Sequence, residues 1–572
     1  MDGAAKGEIT KAKAALAIAD RALKTAQAET RAAELATKAQ LRAPRSQRPG
    51  GASLPVIDVT SEPDGVDAVI EALESGKISG VHLYGDGIAQ VGRSADGPVI
   101  RPIGPDNLTY VVKENADVQK TRTTRDGDEI VSSVLLPVRI ATTVLARPKW
   151  DLSILKGISS VPLLLPDGTF QTEPGYNEGT GYYYEPKHQI PPVPTNPTDE
   201  QIEAAKTLIL DQVLRDFPWV APSDKASYVG VMFYPLLRVL IRDPFMFYLL
   251  TATNPGSGKG LLCMILDYLF GFSSNSWPED NTEMGKVITA LLAEKAHPFV
   301  GFANLPNGYI IRYPKLAEVV TKTMWTGRRL GSSKVIEVPN GRCFMAEGNN
   351  VSGSDDMPRR TIITRLDPDG GAPELRDQQS FALGDLNDWL PLHSGELLHA
   401  LLVLLSGWVA AGSPRSSHSI ASFGAWPRTI GGILGWMGVS GWLEGREQQM
   451  RDGDDDGHEW TVFLAAWHGH FGDRLIGAGE LLGAARSSAE YGIPTPGPLD
   501  AVFPRDKGTY LPSVQKLGYW LKAREGRWHG EYRLRKVKDS NAEAWRWKVE
   551  YRDPAVSVPA PRPAAEQPAL TD

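Results

Sequence analysis

The chemistry most plainly written in this chain lies between Tyr248 and Leu262. An apolar run from Tyr248 to Ala252 leads through Thr253 into Asn254, Pro255, Gly256, Ser257, Gly258, Lys259, Gly260 and Leu261, and helical periodicity follows. Strand, glycine-rich turn, lysine and helix is the layout of a phosphate-binding P-loop. Glycines let the backbone N–H groups curl toward a phosphate, and the start of the next helix adds positive potential. Two positions depart from the pattern. Thr253 stands where the first glycine is expected, and Gly260 replaces the Ser or Thr whose hydroxyl would hold Mg²⁺. The residues therefore point to nucleotide binding more strongly than to hydrolysis.

Hydrolysis needs further parts positioned by neighbouring strands. One strand should end in an acid that holds Mg²⁺. The candidate, His297–Pro306, has Ala303 at that position. A third strand, from Gly341, runs through Glu347 and Gly348 to Asn349 and Asn350, whose amides could orient a water against a γ-phosphate. Arg359 and Arg360 follow, and a guanidinium neutralises phosphate oxygens bidentately. An arginine pair there suits the nucleotide of a neighbouring subunit.

From about residue 145 to 550 the chain resembles the phage- and mobile-element-encoded replication ATPases of actinobacteria. These primase/helicase-like proteins are similar to superfamily 3 helicases within the AAA+ group. The resemblance is carried by Asn254–Leu262, Trp277-Pro278-Glu279-Asp280, Lys286–Leu292, Phe302-Ala303-Asn304-Leu305, Arg329-Leu330-Gly331-Ser332-Ser333, Gly348-Asn349-Asn350 and Arg359-Arg360 with Arg365-Leu366-Asp367, in that order. It implies that Lys259 is the P-loop lysine, Asn349 or Asn350 the sensor, and Arg359 or Arg360 an arginine finger acting across a ring of identical subunits. The family's acid before Asn304 is absent. In sheets of this kind the sensor strand lies beside the acidic strand, so Glu347 is expected next to Ala303 as a substitute carboxylate. Arg428 is a candidate second sensor in a helical lid.

Two stretches are candidates for DNA contact. Arg328, Arg329 and Lys334 cluster among glycines in a short loop before the third strand, which suits phosphate contacts. The resemblance gives that loop a channel-facing role, and a subunit-interface role for the arginines fits as well. Residues 505–552 hold thirteen Lys/Arg against six Asp/Glu, a net of +7 in a chain whose overall charge is −7. The segment reads as a helix over Ser513–Arg524, a turn, then strands Tyr532–Val537 and Ala544–Glu550. That is a winged-helix pattern, with Lys522, Arg524, Arg527, Arg533, Arg535 and Lys536 among Trp528, Tyr532, Trp545 and Trp547. A solvated basic face over a small aromatic core is the plainer alternative.

The remaining sequence sets bounds. A chain of 572 residues with 42% hydrophobic and 23% charged residues is ordinary globular protein with room for several domains. Two cysteines, Cys263 and Cys343, exclude a disulfide framework or zinc ribbon and suit a reducing cytoplasm. The longest apolar run, Ala400–Ala411, is short of the about 18–20 residues that span a bilayer, so no membrane partner is expected. The expected organisation is an Ala/Lys/Glu-rich helix over 1–43, solvated or coiled, a linker over 44–54 and a small α+β domain over 55–185. A proline-rich linker then leads to an α/β P-loop AAA+-like core over 199–375. A helical lid over 376–490, a winged helix over 500–552 and a disordered tail over 553–572 complete it. Within the small domain, Val81–Tyr84, Thr109–Val112 and Ile130–Leu136 read as strands. The expected function is ATP-dependent DNA unwinding or origin melting, with host replication proteins as further partners. The alternatives are a non-hydrolysing DNA-binding scaffold or helicase loader, and a regulatory ATP sensor.

Overall fold

A computed structural model describes residues 54–552 apart from 95–96, 295–296, 329–334, 355, 369–380, 447–454, 487, 491–492, 506–509, 527 and 540–543. The expected helix over 1–43, most of the linker after it and the tail from 553 lie outside the described residues, as do Arg329, Lys334 and Arg527.

The centre is a five-stranded sheet of β1 (Phe247–Ala252), β2 (Phe272–Ser276), β3 (Phe299–Leu305), β4 (Cys343–Asn349) and β5 (Thr361–Leu366). Its order is β2-β3-β4-β1-β5, with every pair parallel. A parallel sheet is covered on both faces and its strands read as continuous apolar runs. All six residues of β1 are buried. Their alternation divides the molecule into two cores. Phe247 and Leu249 face one with Phe302, Phe344 and Ile288, while Tyr248, Leu250 and Ala252 face the other with Leu262, Ile265 and Leu401. Each such side chain contributes about 1.5–3 kcal/mol on burial.

Helix α1 (Pro222–Phe233) leads toward β1, α2 (Lys259–Phe270) follows β1, and α3 (Asn281–Glu294) follows β2. The Tyr228 hydroxyl on α1 donates to the carbonyl of Leu262 on α2 at 2.8 Å, fixing one helix on the other. Beyond the sheet come α4 (Leu386–Ala410) and α5 (Ala425–Met437). Among the described helices, α4 alone is long and apolar enough to cross a membrane, and 67% of its most apolar window is buried against the protein. It is a core helix. The expected proline linker is not free: the carbonyls of Pro194 and Thr195 accept from Ser406 on α4, at 2.5 and 3.0 Å.

Among its described residues the small N-terminal region contains three three-stranded sheets, a two-stranded one and the helices Glu62–Glu74, Pro105–Asn115 and Val138–Leu145. Here the expected strand at Thr109–Val112 is corrected to helix. Pro105 opens the helix, and Leu108, Val111 and Val112 bury one face at helical spacing. The region is also less separate than expected, because Tyr84, Ala89 and Ile100 belong to the same core as β3 and β4. The Tyr84 hydroxyl donates to the Leu292 carbonyl on α3 at 2.7 Å.

At the C-terminal end, α6 (Asp455–Phe471), α7 (Ala478–Gly483), α8 (Val514–Ala523), β6 (Tyr532–Asp539) and β7 (Ala544–Tyr551) share one core. Trp460, Phe463, Leu464 and Trp467 of α6 pack with Leu517, Leu521, Leu534, Trp547 and Val549. The packing therefore cuts the expected 376–490 lid in two: α4 and α5 go with the sheet, and α6 and α7 go with the basic segment.

Candidate functional site

The loop leaving β1 turns where its glycines let it. Gly256 has φ 73° and Gly258 φ 95°, left-handed values that an L side chain resists. Between them Ser257 is buried, and α2 begins at Lys259. The Lys259 ammonium donates to Ser257 Oγ at 3.1 Å and to Asn349 Oδ1, at the end of β4, at 2.6 Å. The structure thus brings together two residues ninety positions apart that the sequence proposed for one site. Asn350 has φ 52°, and its amide nitrogen donates to the Thr253 carbonyl at 3.2 Å and to Asn307 Oδ1 at 2.9 Å. Of the two sensor candidates, Asn349 reaches the lysine and Asn350 braces the loop. Thr253 is tied to Asp367 through its hydroxyl at 2.7 Å.

Beside this lysine the sheet breaks its register. Phe302 pairs with Ala346 and Leu305 with Gly348, so Ala303 and Asn304 together oppose Glu347 alone. That is a β-bulge, with Asn304 at φ 57°. Glu347 stands next to Ala303, where the backbone N–H of Asn304 favours its charged form and the Cys263 thiol lies 4.0 Å from its Oε2. A pocket of ≈ 220 Å³ is lined by Gly260, Ala303, Glu347 and Cys263, among others. Both empty positions of the expected metal site thus border one volume, with Glu347 on its wall. Burial pushes the Glu347 carboxyl up and the Lys259 ammonium down, and each group only partly offsets the shift of the other. The two charges are under-solvated, so an incoming anion would relieve Lys259. Burial likewise raises the Cys263 thiol, with the Glu347 charge adding to it, which makes the thiol a poor nucleophile. Among the described residues no group of three or more His, Cys, Asp or Glu is placed to hold a metal.

A second cavity of ≈ 240 Å³ lies against the outer side of the loop. Phe217, Pro218, Leu261, Phe381 and Leu383 give it apolar walls, and Gly256, Ser257 and Gly258 close one end. Asp216 and Asp385 line it too, but each accepts from a backbone N–H, of Ala382 at 2.8 Å and Asn387 at 2.9 Å. The sequence reading missed this cavity. Phe217 lies forty residues before the loop and Phe381 more than a hundred after it, and neither sits in a motif.

The arginine pair lies at the opposite edge of the sheet. Residue Thr361 pairs with Phe247 and Leu366 with Ala252, so Arg359 and Arg360 precede the end of β5 that is remote from the glycine loop. Five residues of strand separate the two ends by about 16 Å. Arg359 is exposed and paired with Asp356 at 2.7 Å. Arg360 is turned inward, donating to the Ala317 carbonyl and to Asp356. Arg446, which burial lowers to a pKa of about 10, grips the turn by donating to the carbonyls of Arg359 at 2.5 Å and Thr361 at 2.7 Å. Arg428 donates to the Gly424 carbonyl on its own helix.

Of the basic hairpin, strands Met324–Arg328 and Val335–Pro339 are described. Its base is anchored through Trp325, which donates to Thr289 of α3 at 2.9 Å, and through the Glu337 carbonyl, which accepts from the N–H of Asp86 at 3.1 Å. Arg328 is exposed at its end. In the C-terminal unit Lys522 is exposed on α8, Arg524 stacks over Trp460 at 4.3 Å, and Lys536 lies over Trp545 at 4.9 Å. Arg533 and Arg535 both reach Glu550.

No protein-family model matches the chain, and no curated protein matches it. Solved structures similar to it include the apo C-terminal region of NrS-1, at 12% identity and TM-score 0.28, covering 62% of this chain and 78% of that one. Another is SCCmec type IV Cch, described as an active helicase, at 11% identity and TM-score 0.26, covering 68% and 79%. A third is the JCV helicase with a bound small molecule, at 16% identity and TM-score 0.20, covering 42% and 67%. At such values the functional argument rests on the chain's own residues.

Proposed function

We propose that the chain is an ATP-binding DNA-replication protein of the AAA+ type, acting as a helicase or origin-melting ATPase in a ring of identical subunits. The observation that supports this most is Lys259. It is held by Ser257 and Asn349 at the mouth of a glycine loop, on a parallel sheet ordered β2-β3-β4-β1-β5. The loop's N–H groups and Lys259 would take the β- and γ-phosphates. The nucleoside would enter the cavity between Phe217 and Phe381. Asn349 would orient the attacking water. Arg359, exposed and some 16 Å from its own loop by strand length, fits a nucleotide held by a neighbour.

Mg²⁺ commonly binds through one or two carboxylates plus substrate phosphates. Glu347 is the carboxylate that would serve here, and when bound the ion would supply charge neutralisation on the phosphates. This fit is thin, since Gly260 and Ala303 offer no oxygen from their side chains. That observation favours a second reading, in which the protein binds ATP as a conformational clamp and serves as a DNA-bound scaffold or helicase loader. In either reading the unit from α6 to β7 would be the winged-helix DNA-binding part, with Lys522, Arg524, Arg533, Arg535 and Lys536 as contacts, and the Arg328 hairpin would face the channel.

The deciding experiment gives the full chain ATP, Mg²⁺ and forked DNA. Nucleotide binding that disappears in Lys259→Ala is expected under both readings. Turnover stimulated by DNA supports the helicase. Binding without turnover sinks it and leaves the scaffold.

A further inference from the structure

The hairpin of β6 and β7 has a buried face and an outer face. Leu534, Trp547 and Val549 point into the core. Residues alternate along a strand, so Arg533, Arg535, Lys548 and Glu550 share the outer face, where Arg533 pairs with Glu550 and Arg535 with Lys548 across the strands. Three cations converge there on one carboxylate. Arg533 donates to Glu550 Oε2 through Nε at 3.0 Å and Nη2 at 2.6 Å, and Arg535 Nε reaches the same oxygen at 3.2 Å. Lys548 Nζ lies 3.5 Å from Oε1. The Arg533 guanidinium also lies over the Trp528 ring at 4.4 Å, and Arg552 contacts the same indole at 4.5 Å.

The arrangement exceeds what the hairpin needs for stability. Its strands are held by eight cross-strand residue pairs and by the aromatic core, and half-exposed ion pairs contribute about 0–1 kcal/mol each. One carboxylate facing three cations leaves two positive charges unbalanced at one spot. A phosphodiester offers the same ligand chemistry as the carboxylate, two oxygens sharing one negative charge, and the guanidinium fork suits both. Although burial works against its charge, Arg533 and Arg535 hold Glu550 below the usual carboxylate range, so it is ionised at neutral pH.

We infer that Arg533, Arg535 and Lys548 form a seat for a backbone phosphate of nucleic acid, which Glu550 fills until a phosphate displaces it. This rests on the proposal that the C-terminal unit binds DNA. Glu550 acts as a brake on that binding. It lowers affinity for any phosphate backbone without regard to sequence, because the seat touches no base.

The test compares full-length wild type, Glu550→Gln and Arg535→Gln by fluorescence anisotropy with a labelled duplex of arbitrary sequence, across a salt series. Glu550→Gln is expected to bind roughly 3- to 10-fold tighter at low salt, with a log–log salt slope steeper by about 1, the value for one added phosphate contact. Arg535→Gln is expected to bind more weakly, with a slope shallower by about 1. Unchanged or weaker binding by a Glu550→Gln protein that melts like wild type overturns the inference. Should that variant melt early, an unchanged affinity and slope in Arg535→Gln overturns it instead. Failure of the wild type to bind any DNA is a distinct result, because it removes the underlying DNA-binding reading.

Discussion

Gly260→Thr restores the hydroxyl that a metal-assisted P-loop places directly after its lysine, and the structure gives it room. A Cβ built on Gly260 meets nothing within 4 Å, and its φ lies outside the left-handed range. The residue is the second of α2, facing the pocket that Ala303 and Glu347 also line. Removing a glycine from a helix whose backbone already suits an L side chain stabilises by about 0.4–1 kcal/mol, chiefly by restricting the unfolded chain. The melting temperature should therefore rise slightly, with no strain to offset it. The functional effect should be larger. Losing even an outer-shell partner of a metal ligand costs about 10–100-fold in metal affinity or activity, so adding a direct oxygen ligand should gain at least that order. The assay is phosphate release against Mg²⁺ concentration, with nucleotide affinity measured in parallel. The expected result is a half-saturating Mg²⁺ concentration at least about tenfold lower, with turnover raised accordingly. A variant that folds, binds ATP and keeps the wild-type Mg²⁺ dependence would refute the claim that Gly260 vacates a metal position.

Other perturbations probe the neighbouring groups. Because burial raises the Glu347 carboxyl above its ordinary value of 4.5, the folded state resists its ionisation, and wild-type stability should fall as pH climbs past that value. Glu347→Gln should remove its share of that decline in thermal melts across the acidic range, leaving the share of Asp224, whose carboxyl burial also raises. The same variant should lose any turnover that rises with pH in wild type, and retained turnover would exclude Glu347 as the metal-holding acid. Arg359→Ala should leave ATP binding intact and cut turnover by about 10³-fold, as for an arginine finger. Mixing it with Lys259→Ala should recover part of the activity, and no recovery would mean that Arg359 does not act between subunits. Gly301→Ala tests packing beneath the site, since the added Cβ would meet the Phe272 ring at 1.9 Å. A loss of about 1–3 kcal/mol in chemical denaturation is expected, and a smaller one would mean that the half-buried ring swings aside.

What the sequence conveyed followed the range of each interaction. The glycine loop was legible because its conformation is set locally, by residues that tolerate left-handed backbone. The C-terminal helix and strands were legible within a few residues, because the helical spacing of Leu517 and Leu521 and the alternation of Leu534, Trp547 and Val549 are local periodicities. Thr109–Val112 misled because β-branched residues and tyrosine carry strand preference, whereas Pro105 and the buried Leu108 decided for helix. The lid boundary misled for another reason. An amphipathic helix advertises its apolar face but not its partner, and α6 was claimed by the core of β6 and β7. The cavity walls Phe217 and Phe381 carry no local signature at all.

The register of β3 and β4 bears most on how the site works. Had the strands paired without interruption, Ala303 would face Glu347 alone, and Asn304 would continue the strand. The bulge inserts one residue, Asn304 at φ 57°, beside Glu347, and its N–H favours the charged form of that carboxyl. The charge of Lys259 and, to a smaller degree, the Asn304 N–H keep a half-buried acid from being driven further toward neutrality. A neutral glutamine at this position would have a smaller desolvation cost than the carboxylate. Here the carboxyl is supported from two sides, at the wall of a pocket that Gly260 and Ala303 also line. Gly260 and Ala303, at the two expected metal positions, thus line one pocket with two acids, Asp267 and Glu347, and Glu347 lies one strand away from where the motif would put its carboxylate. Under the proposed reading Glu347 would be a displaced carboxylate, and the Mg²⁺ dependence of Gly260→Thr and Glu347→Gln, measured together, separates displacement from loss.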